Sequence, residues 1–94
     1  MKTITLQIGN TDDKLTQAQW ASYVAEVRQE IADCGQLDIH FFGTPPNYER
    51  WQNACWVLAV GESSLNSLKD SLVKIRRKWL QDSIAWTEGG TEFI

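Results

Sequence analysis

The sequence predicts an α+β domain in which one four-stranded antiparallel sheet carries two helices on a single face. Three observations lead there. The opening segment alternates apolar and polar residues with a period of two. Two later stretches, Thr16–Ile31 and Leu65–Trp79, repeat apolar residues at spacings of three and four, the period of a half-buried helix. Between them lie two apolar runs separated by a proline-containing break, which read as adjacent strands. With 94 residues the chain suits one domain, 1–94, with one modest core.

In Lys2–Ile8, Ile4, Leu6 and Ile8 share one face, and Thr3, Thr5 and Gln7 share the other. The turn residues of GNTDDK end this strand. Thr16 followed by Gln19 matches the capping box, in which hydroxyl and amide each satisfy a backbone N–H. Trp20, Val24, Val27 and Ile31 then line one helical face, and Gly35 stands where a helix-stopping glycine usually does.

QLDIHFFG is the second strand. Strict alternation puts Leu37, Ile39 and Phe41 on one side and Asp38, His40 and Phe42 on the other. TPPN cannot lie within a sheet, because proline gives the ladder no N–H. The loop Thr44–Tyr48 falls there. Arg50–Gly61 is the third strand, apolar on both faces toward its end, as a central strand is. Ser63 or Ser64 is expected to cap the second helix. Its stripe is Leu65, Leu68, Leu72, Ile75 and Trp79, and Arg76, Arg77 and Lys78 suit the negative end of its dipole. Ser83–Thr87 reads as the fourth strand, with TEFI as a possible short fifth beyond the turn at Glu88–Gly90.

The order β-α-β-β-α-β resembles the ferredoxin-like sandwich across nearly the whole chain. That resemblance is one of element order, and the superfold hosts many unrelated activities. It implies that the helices cover one sheet face and leave the other open. Thr3, Thr5, Gln7, Asp38, His40 and Phe42 belong to the open face on this reading. The third strand adds either Trp56, Leu58 and Val60 or Cys55, Val57 and Ala59, since a one-residue slip exchanges the two sets. The expectation is that Leu58 and Val60 point inward, while a bulge near Asn53 would turn Trp56 outward.

A net charge of -3 argues against charge-driven contact with nucleic acid or anionic membrane. No apolar run reaches the ~20 residues of a membrane span, and MKTITLQIG alternates too strictly for a signal peptide. Together with two unpatterned cysteines, Cys34 and Cys55, this points to reduced thiols and a cytoplasmic setting. The single histidine rules out a multi-histidine metal centre, and neither cysteine has zinc-type spacing. No metal or cofactor is implied. The basic run KIRRKW reads as a solvated helix end.

Five tryptophans exceed what a small core holds easily. Trp20 and Trp79 fit the helical stripes. Trp51, Trp56 and Trp86, with Phe42, His40 and Tyr48, are the candidate binding residues, because aromatic side chains dominate contact hot spots. No catalytic set accompanies them. The reading is a small non-enzymatic interaction module that docks on a protein or on a second copy of itself. A phage or mobile-element inhibitor of a host protein is one form of it. The alternative is a dimeric small-molecule binder or cofactor-free enzyme, with a pocket near His40 and Asp38 close by.

Overall fold

The computed structural model describes residues 1–10, 12–45 and 52–94. It contains β1 (Lys2–Gly9), α1 (Gln17–Asp33), β2 (Leu37–Gly43), β3 (Asn53–Val60), a 3-10 turn (Glu62–Ser64), α2 (Leu65–Lys78) and β4 (Ala85–Gly89). The sheet order is β2-β3-β1-β4, and every neighbouring pair is antiparallel. This is the expected ferredoxin-like α+β arrangement. Tyr48, Trp51, most of the Thr44–Tyr48 loop and the Arg50 start of the third strand lie outside the described residues.

The period-two signal works out residue by residue. Ile4, Leu6 and Ile8 of β1 meet Ala54, Trp56, Leu58 and Val60 of β3 on one face, all buried. Tyr23, Val27 and Ile31 of α1 and Leu65, Leu68 and Leu72 of α2 close over them. The register of β3 therefore places Trp56, Leu58 and Val60 inward and Cys55, Val57 and Ala59 outward.

The bulge occurs in β2, not near Asn53. Leu37 and Ile39 pair with Val60 and Leu58; then the register shifts, and Phe41 and Phe42 pair with Val57 and Trp56. His40 is the extra residue. It reverses the alternation beyond it, so Phe42 joins the covered face and Phe41 the open one, the opposite of strict alternation. Phe42 packs on Trp56 at 5.0 Å between ring centroids.

The helix ends show which local signals hold. Thr16 caps α1 with the full capping box. At the other end Gly35 is not left-handed; Gln36 takes that conformation, at φ 55°. Its side chain lies where a Cβ on Gly61 would sit, 2.5 Å from Gln36 Oε1, so Gly61 permits a close approach. Ser63 and Ser64 do not cap α2. Ser63 Oγ donates to Gln36 Oε1 and Ser64 Oγ to the Gly35 carbonyl, tying the two turns together. α2 ends in a Schellman pair: Leu80 N–H donates to the Arg77 carbonyl and Gln81 N–H to that of Arg76. The left-handed position is filled by Leu80 at φ 55°. β4 starts two residues later than the alternation suggested, and Thr91–Ile94 form no fifth strand.

Candidate functional site

The two faces of the sheet differ in chemistry. Cross-strand pairing sets the open face as three rows: Asp38–Ala59–Thr3–Gly89, Phe41–Val57–Thr5–Thr87 and Gly43–Cys55–Gln7–Ala85. Asp38 is the only charged residue in these rows. The side chains are short, so the face is flat. Phe41 is its one large group, 55% exposed. Its ring lies over Gly43, where an added Cβ would come within 2.5 Å of it. The glycine thus seats the aromatic ring against the strand.

Charge is displaced to the flanks of the covered side. Beside β4, Glu88 lies 3.2 Å from Lys69 Nζ and 3.6 Å from Lys2 Nζ. It also accepts a hydrogen bond from Trp86 Nε1 at 3.0 Å. That bond, then Lys69, holds the Glu88 carboxyl below the usual carboxylate range. Lys69 Nζ sits 5.0 Å from the Trp86 ring centroid. Lys69 and Trp86 border a cleft of about 260 Å³ between α2 and β4, floored by Leu72, Val73 and Ile84.

A larger cleft of about 470 Å³ opens on the opposite flank, between α1 and the edge strand β2. Ile39, Phe42 and Trp56 form its floor, with Arg28 and Gln29 along the rim. The Arg28 guanidinium lies 4.7 Å above the Phe42 ring. Ile39 belongs to the covered side by register yet is 52% exposed, because α1 does not reach over the edge.

The candidates from the sequence therefore separate. Phe42 and Trp56 share the α1–β2 cleft, with Trp56 only 1% exposed. Trp86 lies on the far flank, beside Lys69. His40 is exposed at the bulge and lines neither cleft. Of the basic run, Lys78 pairs with Glu26 at 2.5 Å and Arg76 donates to the carbonyls of Gln81 and Asp82, so two of its cations serve the fold. Phe41 and Arg28 escaped the sequence reading. Phe41 was hidden by the bulge, and Arg28 stood among other polar residues of α1 with nothing in the sequence to set it apart.

No protein-family model and no curated protein matches the chain. Among solved structures it is similar to a dimeric ferredoxin-like protein of unknown function from Thermobifida fusca YX. The TM-score is 0.67 at 12% identity, covering 97% of this chain and 92% of that one. The likeness is one of fold. No helix among the described residues is long and apolar enough to cross a membrane.

Proposed function

We propose that this chain is a protein-interaction module that self-associates, two copies meeting through the open faces of their sheets. The observation that carries the reading is the near absence of charge among the described residues of that face: Asp38 alone interrupts their rows, in a chain with 22% charged residues. A sheet face meant for water usually carries polar, often charged side chains. The core of an interface is depleted of charge, since each buried ion must be desolvated.

The dimeric state of the structurally similar protein supports the same reading. A neutral face suits a second copy better than the basic host protein of a phage-type inhibitor, which would favour an acidic surface. A small-ligand pocket at His40 has less support, since that side chain is exposed at a strand edge. Light scattering on the full chain is the test. The expected mass is twice 10.7 kDa at tens of micromolar. Val57→Glu should return it to 10.7 kDa with an unchanged circular dichroism spectrum. A monomer at every concentration, or a Val57→Glu protein that still doubles its mass, would overturn the proposal.

A further inference from the structure

The open face alone is small for a stable contact. Four strands about 4.8 Å apart and about seven residues long give a footprint on the order of 400 Å². Stable pairs usually bury about 800 Å² on each side. That plan area is a lower bound on the accessible surface a stacked pair buries, and exposed groups beside the sheet add to it.

Among the described residues, apart from the isolated Met1 and Leu80, two sets of exposed apolar side chains lie at opposite edges of the same sheet. One is the β2 edge, where Ile39 on the covered side and Phe41 on the open face are 52% and 55% exposed. The other follows β4: Phe93 is 88% exposed and Ile94 fully so. The Thr91–Ile94 segment leaves on the open-face side, since the Thr91 and Thr3 hydroxyls are hydrogen-bonded and Thr3 points to that face.

Symmetry relates the patches. A two-fold axis lying between two stacked sheets and parallel to their strands sets β4 of each copy over β2 of the other. Each apolar edge then meets the other edge of its mate, twice per dimer, as an isologous contact requires. A two-fold across the strands would instead set β4 against β4, where Ala85, Thr87 and Glu88 offer no exposed large apolar group.

We infer that the Glu92–Ile94 segment of one copy clasps the second copy at its α1–β2 cleft. Phe93 and Ile94 cover Ile39 and the apolar floor, and Glu92 pairs with Arg28. This inference rests on the sheet-to-sheet pairing proposed above. With Thr91 held at Thr3, the three residues beyond it span about 10 Å, the spacing of stacked sheets, and the Phe93 and Ile94 side chains carry the contact past the β2 edge. The charges match, because among the described residues Arg28 has no carboxylate partner and caps only the Phe42 ring. The cleft, at about 470 Å³, accommodates a phenyl ring and a branched aliphatic side chain. Asp38, the one charge in the described rows of the open face, then lies beside Thr91 of the other copy, whose hydroxyl can donate to it.

The test is sedimentation equilibrium on the 94-residue chain and on four variants: Phe93→Ser/Ile94→Ser, Arg28→Glu, both together, and Val57→Glu. Exposed positions 28, 93 and 94 leave the fold untouched, which circular dichroism verifies. The segment variant should weaken dimerisation about 100-fold and Arg28→Glu about tenfold. The combined variant should be no weaker than the product of the two and closer to the segment variant alone, since both disrupt one contact. If the segment and Arg28 variants stay within about threefold of wild type while Val57→Glu dissociates, the clasp is wrong and the sheet-to-sheet dimer stands. If the wild-type chain is itself monomeric, both are wrong.

Discussion

Trp56 and Val57 are adjacent in the chain and lie on opposite sides of one sheet. Trp56 is packed beneath both helices against Phe42, and Val57 stands between Thr5 and Phe41 on the open face. The difference shows how one strand has two environments. Its even-numbered residues are buried in the core, and its odd-numbered residues line the open face. An alteration to the first set should unfold the protein; one to the second should leave a folded domain with altered association.

The largest expected effect breaks the covered side. Trp56→Ala should cost about 3–5 kcal/mol in urea unfolding. A loss below about 1 kcal/mol would mean that the tryptophan is not core. Next comes pH. Burial pushes the Tyr23 hydroxyl up to about 12, although Arg76 opposes the shift. An acid raised above its unfolded value of 10.0 keeps its full stabilisation below that pH and loses it as pH climbs toward about 12. Thermal melts should therefore be steady near neutrality and show a loss on the order of 2 kcal/mol across that alkaline window. In Tyr23→Phe this part of the alkaline loss should vanish.

Leu80 lies outside both faces and calibrates them. It holds a left-handed conformation while 81% exposed, so Leu80→Gly removes backbone strain and almost no packing. A gain of about 1 kcal/mol is expected from denaturant melts. The smallest effect sharpens the open side. Val57→Thr, measured at concentrations where the chain is monomeric, should change stability by less than about 0.5 kcal/mol. A loss as large as that of Trp56→Ala would erase the distinction between the faces.

Most of the architecture was legible because periodicity reports burial. The β1 alternation and the α2 stripe each name the residues that the structure buries, Ile4, Leu6 and Ile8 in one and Leu65, Leu68 and Leu72 in the other. The Thr16 capping box was equally plain, since it is closed within four residues. What failed depended on partners distant in sequence. Gly35 looked like the helix stop, yet Gln36 turns left-handed because its carbonyl and side chain meet the turn after β3. The serines after Gly61 looked like caps, and that same contact takes them. A single bulge at His40 then exchanged Phe41 and Phe42, and nothing in LDIHFFG announces it. That exchange moved the aromatic group of the open face from one residue to its neighbour, so the candidate site was less readable than the fold.

Cys55 offers the most direct measurement. It lies on the open face, beside Gln7 and paired across to Gly43, whereas Cys34 ends α1 on the other side of the molecule. In a Cys34→Ser background the rate of maleimide labelling reports the accessibility of this one thiol. The account predicts that labelling slows as protein concentration rises through the range in which light scattering shows the mass doubling. A constant rate across that range would place the contact elsewhere and contradict the claim that the open sheet face is the surface this protein uses.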